Sequence, residues 1–167
     1  GIVGSVTHHW YNESREGVGY EARFMMPTDF EQINSTHVVI LDSGSYCIRV
    51  VNRVTNSTSL LAGVCGVKNL GFKDGTFEEA KFGSLMSITQ LPTSKGQRLL
   101  IIESDNQKVR HFDLTTRMLS TLNTKFYGYL QSLAIQPSTD VKFFSINQAI
   151  GWIDNSAVNW PEYLTLS

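Results

Sequence analysis

Hydrophobic and polar positions alternate along this chain in short runs that predict β-strands joined by polar turns. The clearest run is RLLIIESDNQKVRHFD at 98–113, where an apolar strand, a polar corner and a second alternating strand follow one another. HVVILDSGSYCIRVVN at 37–52 has the same pattern, and 132–154 has it in weaker form. The pattern therefore predicts an internal repeat, whose copies must stack on each other to bury their apolar side chains.

The register of this repeat can be checked by counting residues. Ala22 and Phe24 match Ala80 and Phe82 at a separation of 58, and Arg49 matches Arg110 at 61. A longer turn at 93–97 in the second copy accounts for the difference. The third copy follows at a separation of 41, where Asn147-Gln148 matches Asn106-Gln107. Units of this length with four short strands are typical of β-propellers.

The strand boundaries follow from the alternation. An inner strand and its turn are expected within 25–36, and the other predicted strands are His37–Asp42, Tyr46–Arg53, Ser59–Ala62, Leu85–Gln90, Leu99–Glu103, Lys108–Asp113, Met118–Leu122, Leu130–Ile135, Val141–Ser145 and Ile150–Asp154. They divide one domain, 1–167, into units at about 17–65, 66–122 and 123–154, followed by a tail at 155–167.

Three features of these units resemble the NHL-repeat family of β-propellers. They are the D-G-x(4)-A-x-F opening at 74–82, the apolar runs that end in Asp42 or Glu103, and the Asn-x-x-Ile/Val-Arg turn into the next strand. The third copy lacks the opening and has Gly151 in place of the arginine. The resemblance implies an all-β fold made of four-stranded antiparallel propeller blades, in about three NHL-like units of the secreted or extracellular type.

The number of units predicts that the fold is incomplete as a single chain. Propellers close with typically 4 to 8 blades, and three blades would leave sheet faces and edge strands open. Three resolutions follow: the chain is a fragment of a longer parent chain, it closes by pairing as a homodimer or with another fragment, or its flanks contain a fourth blade.

Composition excludes some classes of function. The 167 residues are 41% hydrophobic and 17% charged, which is enough to bury a core, and the formal net charge is -1. That charge argues against a nucleic-acid partner, which would require many phosphates to be neutralised. No apolar run approaches the ~20 residues that span a bilayer, so no membrane insertion is expected.

Three N-glycosylation sequons begin at Asn12, Asn34 and Asn56, and the last two fall at predicted hairpin tips. They favour a secreted or extracellular glycoprotein. His8-His9 is not predicted to bind metal, because adjacent side chains on a strand point to opposite faces.

The two cysteines support the same compartment. Cys47 and Cys65 lie nine residues on either side of Asn56, so a hairpin centred on Asn56 would place them opposite one another. That separation suits a disulfide. The alternative is a pair of buried free thiols in a cytosolic protein.

The candidate binding site lies on the polar corners between the second and third strands of each unit. In an up-and-down sheet these corners share one face, while the Asn34 and Asn56 tips lie on the opposite face. The candidate ligand-binding residues are Asp42, Ser43, Ser45, Tyr46, Ser104, Asp105, Asn106, Gln107, Asn147 and Gln148. The alternative is that they only form solvated turns.

The sequence therefore predicts an extracellular module that recognises a protein or glycan ligand, with no catalytic residues, no metal and no cofactor. The resemblance also extends to peptide-amidating lyases, propeller enzymes whose metal ligands are histidines from several blades. The histidines here, His8, His9, His37 and His111, are not on the repeated corner, which makes an enzyme the weaker alternative. A structural or adhesive segment of a larger ectodomain is the third.

Overall fold

The computed structural model describes residues 3–4, 14–91, 97–122, 130–136, 141–146, 149–153 and 164–165. In the last four ranges it describes the backbone, together with the side chains of Gln131 and Ser132. The described residues form three antiparallel sheets that follow one another along the chain.

Each sheet is built from strands that are consecutive in sequence. Sheet 1 contains β1 (Gly17–Val18), β2 (Pro27–Gln32), β3 (His37–Asp42), β4 (Cys47–Asn52) and β5 (Ser57–Ala62), in the order β1-β5-β4-β3-β2. Sheet 2 contains β6 (Gly75–Thr76), β7 (Leu85–Leu91), β8 (Arg98–Glu103), β9 (Lys108–Asp113) and β10 (Met118–Thr121), in the order β6-β10-β9-β8-β7. Sheet 3 contains β11 (Leu130–Gln136), β12 (Val141–Ile146), β13 (Ala149–Ile153) and β14 (Leu164–Thr165), in that order.

The all-β prediction is confirmed, and the strands lie within a few residues of their predicted bounds. The prediction of four strands per unit is wrong for the first two units. The short β1 and β6 pair with β5 and β10, and so add a fifth strand at the outer edge. The tail also contributes a strand, because β14 pairs with β13.

The repeat is visible in the backbone of all three sheets. The first long strand of each sheet has an irregularity in its register at the same place: between Pro27 and Asp29, between Leu85 and Ser87, and between Leu130 and Ser132. A β-bulge of this kind bends a strand and increases its twist. The three first strands therefore share a shape as well as a position.

A buried arginine organises sheet 1. Arg49, on β4, is fully buried and lies 3.6 Å from the carboxylate of Asp42. Its guanidinium donates hydrogen bonds to the carbonyls of Arg15, at 2.6 Å, and Arg23, and it stacks 4.6 Å over the ring of Phe24. Arg15 and Arg23 form an isolated antiparallel bridge, so Arg49 fixes the segment that leads into β2.

Arg110 repeats this arrangement in sheet 2. It is fully buried, pairs with Glu103 and donates to the carbonyls of Lys73 and Lys81, which form the equivalent bridge. The carboxylate of Asp74 lies 2.7 Å away and accepts a further hydrogen bond. The acidic residue that ends each apolar run and the arginine of the next strand are thus partners in one buried network.

The first two sheets pack face to face, with their first long strands side by side. The core joins Val39, Leu41, Ile48 and Ala62 of sheet 1 to Ile88, Leu99, Ile101 and Phe112 of sheet 2. At the strand edge, the Asp29 carboxylate accepts hydrogen bonds from the Ile88 amide and the Ser87 hydroxyl, both at 3.0 Å. Strand β7 packs in turn against β11 of sheet 3.

Candidate functional site

The two described corners lie on one side of the molecule. The Gly44 amide donates to the carbonyl of Met25 at 2.8 Å, and the Ser104 amide donates to that of Ser84 at 3.0 Å, so each corner sits beside the start of its sheet's first long strand. The Thr28 hydroxyl donates to the Leu85 carbonyl at 2.8 Å and joins these two strand starts. The two described corners therefore share one face, and the third, at Asn147-Gln148, lies outside the described residues.

The prediction that Asp42 and Ser45 are presented on this face is wrong. Both side chains are fully buried. The Asp42 carboxylate accepts hydrogen bonds from the Met25 amide at 2.6 Å and the Ser14 hydroxyl at 2.9 Å, beside Arg49. Burial raises the pKa of Asp42, although those hydrogen bonds and the arginine act against it. These two residues support the corner, whereas Ser43 and Tyr46 are partly exposed.

The second corner is held by side-chain hydrogen bonds and presents two of its four polar side chains to solvent. Asp105 and Gln107 are exposed, and Ser104 and Asn106 are half-buried. The Asp105 carboxylate accepts hydrogen bonds from the amide and hydroxyl of Ser84, and the Asn106 side chain donates to Glu103. A Cβ at Gly83 would lie 2.8 Å from the side-chain nitrogen of Asn106, so a larger residue here would displace the Asn106 side chain.

A disulfide joins Cys47 to Cys65, as predicted. The predicted hairpin centre was wrong, however. Asn52 pairs with Ser57 around the turn 53–56, so the hairpin is not centred on Asn56, and β5 ends at Ala62 before Cys65 is reached. Cys65 lies in the connection between the sheets, and the disulfide holds that connection against the first corner.

The connection presents apolar side chains that the sequence reasoning missed. Val64, Val67 and Leu70 are 52%, 57% and 51% exposed, and Met26, beside the corner, is 73% exposed. The Gly66 amide donates to the Ser45 carbonyl at 2.9 Å, which fixes this segment beside the corner. We call the surface made by Met26, 63–70 and the corners 43–46 and 104–107 the corner face.

The two described sequons lie at hairpin tips on the opposite edge of sheet 1. Asn34 is exposed, and its side-chain oxygen accepts hydrogen bonds from the amides of Thr36 and His37 at 2.9 and 2.8 Å. Asn56 is half-buried and adopts a left-handed backbone with φ of 56°. The remaining predicted residues, Asn12, Asn147, Gln148, His8 and His9, lie outside the described residues.

The described histidines are apart from the corner face. His37 lies at a hairpin tip, where its Nδ1 is 2.8 Å from the Thr36 hydroxyl. His111 lies on β9, and burial lowers its pKa, with a further contribution from the charge of Arg98. Across the part of the chain that the structure describes, no group of three or more His, Cys, Asp or Glu residues is arranged to hold a metal ion. Nor do these residues include a helix long and apolar enough to cross a bilayer.

No protein-family model and no curated protein matches the sequence. Several solved structures match the fold. A protein of unknown function from Bacteroides thetaiotaomicron superposes with a TM-score of 0.64 at 15% identity, over 99% of this chain and 38% of that protein. An auxiliary nutrient binding protein from Bacteroides ovatus superposes with a TM-score of 0.54 at 14% identity, over 65% of this chain and 32% of that protein. Hydrazine synthase from Kuenenia stuttgartiensis superposes with a TM-score of 0.58 at 14% identity, over 84% of this chain and 36% of that protein. The chain spans about a third to two fifths of the length of these proteins.

Proposed function

We propose that this chain contributes three units to an NHL-like β-propeller and recognises an extracellular protein through its corner face. The propeller assignment rests on three sheets in sequence, with first strands side by side and a register irregularity at the same place in each. The repeated arginine network adds a sequence signature to this geometry. Innermost strands around a common axis are the defining arrangement of propellers.

The observation that carries the proposed recognition role is the composition of the corner face. Exposed Val64, Val67 and Leu70 lie in a segment fixed to the corner by a disulfide and a backbone hydrogen bond. Exposed apolar side chains bordered by polar groups are typical of protein-binding surfaces. Holding them in place before binding lowers the ordering cost of association. These features favour a protein over a glycan as the ligand.

A secreted or extracellular location fits this proposal, because disulfides persist in oxidising compartments. The second candidate function, an enzyme of the lyase type, would need ligands from several units around the centre. His37 and His111 lie at a hairpin tip and on β9, which disfavours it. Structural neighbours include both a binding protein and an enzyme, so the fold does not decide between them.

The test is a binding screen against arrayed extracellular protein domains and arrayed glycans, with two matched variants. Val67→Glu places a charge on the corner face, and Val54→Glu places the same charge at the hairpin tip on the opposite edge, where Val54 is 73% exposed. We expect a protein ligand whose affinity falls by about tenfold or more in Val67→Glu and is retained in Val54→Glu. A ligand lost equally in both variants, or binding to glycans alone, would overturn the proposal.

A further inference from the structure

One face of sheet 1 is apolar and uncovered by the other sheets. Cross-strand partners in an antiparallel sheet lie on the same face. Phe30 pairs with Ile40, and Val38 pairs with Val51, so these four side chains lie together on the face that also holds Arg49. We call this surface the open face. Phe30 is 69% exposed, Val38 and Ile40 are half-buried, and Val51, which lies with Val3 along one cavity, is 6% exposed.

The equivalent face of sheet 2 is covered. Arg110 marks that face, and the register aligns Phe30, Val38, Ile40 and Val51 with Ile88, Leu99, Ile101 and Phe112. These four residues of sheet 2 are at most 4% exposed. They are buried by the opposite face of sheet 1, through Val39, Leu41, Ile48 and Ala62. The repeat itself therefore shows what kind of surface fits the open face: the far side of another sheet of the same type.

Cavities mark where a covering sheet would add side chains. In sheet 2, Phe77 stacks on Phe112 with ring centroids 4.0 Å apart and an angle of 4° between the planes. Sheet 1 has Gly19 and Val51 in these places, and a Cβ at Gly19 would meet nothing within 4 Å. A cavity of about 390 Å³ lies here, lined by Val3, Val38, Ile40, Val51, Arg53 and Asn56. A second of about 390 Å³ lies between Phe24 and Phe30.

We propose that the open face binds the far side of sheet 3 in a second copy of this chain, so that the protein self-associates head to tail. Sheet 3 continues the stack, because β11 packs against β7 and has the same register irregularity as β2. The side of sheet 3 turned away from sheet 2 is therefore the next surface in the series. Two copies of this three-sheet chain would close a ring within the 4 to 8 blades usual for propellers.

Light scattering and analytical ultracentrifugation at several protein concentrations test this proposal with three single variants. Phe30→Glu charges the open face at an exposed position. Ser132→Arg changes an exposed residue of sheet 3. Ser132 has the same register position as Asp29 of sheet 1, and Asp29 contacts the neighbouring sheet 2. Met118→Glu, at a 43% exposed residue on β10 of sheet 2, is the control. Circular dichroism confirms that each variant is folded.

We expect a wild-type mass near twice the 18.7 kDa of one chain, a monomer for Phe30→Glu and Ser132→Arg, and a dimer for Met118→Glu. A wild-type monomer at every concentration would overturn the proposal. A dimer broken by Phe30→Glu but not by Ser132→Arg would instead indicate that two open faces pair with each other, and would also overturn it. Equal loss of the dimer in Met118→Glu would show that the effect is not specific to the open face, and would likewise overturn the proposal. These masses are independent of ligand binding through the corner face.

Discussion

Asp42 and Arg49 lie 3.6 Å apart in a fully buried pair, seven positions apart in sequence. Glu103 and Arg110 form the same pair at the same spacing in the second unit. In both units the arginine also binds two backbone carbonyls of the segment that leads into the sheet. The repeat is therefore maintained by a buried ionic network as well as by apolar packing.

Loss of one charged partner from this network should lower the free energy of unfolding. Glu103→Gln leaves Arg110 with the partly exposed Asp74 as its remaining carboxylate partner, and breaking a buried ion pair in this way costs up to about 3–5 kcal/mol. Glu78→Gln is the matched control, because Glu78 also pairs with an arginine, Arg117, but at the exposed surface. Urea unfolding should show a large loss of unfolding free energy for Glu103→Gln and little change for the control. Similar losses of unfolding free energy in both variants would contradict the stabilising role of the buried Glu103–Arg110 pair.

Glu31 should make stability depend on pH. Burial at the boundary with β7 raises its pKa above the ordinary 4.5, the nearby Asp29 adds to this, and a hydrogen bond from the Gln90 amide opposes it. Because the folded state then holds its proton more tightly than the unfolded state, this group's contribution to stability falls as pH rises above 4.5. Glu31→Gln should therefore stabilise the protein at neutral pH, and the gain should disappear in acid below the ordinary pKa.

The control for that experiment is Glu21→Gln, which removes the same charge from an exposed position. Thermal unfolding over a series of pH values measures both variants. A gain from Glu31→Gln that is equal at acid and neutral pH would show that its charge is not responsible.

The disulfide should matter for both stability and recognition. It closes a loop with a sequence separation of 18, and a bridge over a loop of this size contributes about 3 kcal/mol. The Cys47→Ala/Cys65→Ala variant should lose about that amount in urea unfolding. Because the bridge fixes 63–70 beside the corner, the folded variant should also bind the screened ligand more weakly. Unchanged affinity would separate the disulfide from recognition.

Glycosylation at Asn34 should leave corner-face binding intact. Asn34 is exposed at a hairpin tip on the opposite edge of sheet 1. Expressed through a eukaryotic secretory pathway, the chain should contain a glycan at Asn34, which peptide mapping detects and Asn34→Gln removes. Both forms should bind the ligand equally. A difference of tenfold or more would place the binding surface near this tip.

Strands β3, β4, β8 and β9 were predictable because each has one or two buried faces, and burial imposes the apolar pattern that the sequence displays. The turns were predictable in place but not in conformation. Tyr46, Asn56, Gln107 and Arg117 all adopt a left-handed backbone, with φ between 48° and 56°. The turn 53–56 ends in such a residue at Asn56. The hairpin centre therefore lies before Asn56, the midpoint between the two cysteines on which the prediction had centred it.

The candidate site was predictable only in part. The corner residues were found from their polarity, but polarity does not reveal whether a side chain points outward. The carboxylate of Asp42 pairs with a buried arginine instead of facing solvent. The sequence signal for that pairing was the constant spacing of seven residues between the acid and the arginine in both units. Val64, Val67 and Leu70 follow no strand period, so their exposure became apparent only from the folded chain.

Hydrogen–deuterium exchange of the protein, free and bound to its screened ligand, tests the proposed recognition role most directly. We predict that the ligand slows exchange at 43–46, 63–70 and 104–107, and leaves the hairpin tips at 33–36 and 53–56 unchanged. Protection confined to the hairpin tips, or to the open face, would contradict recognition through the corner face.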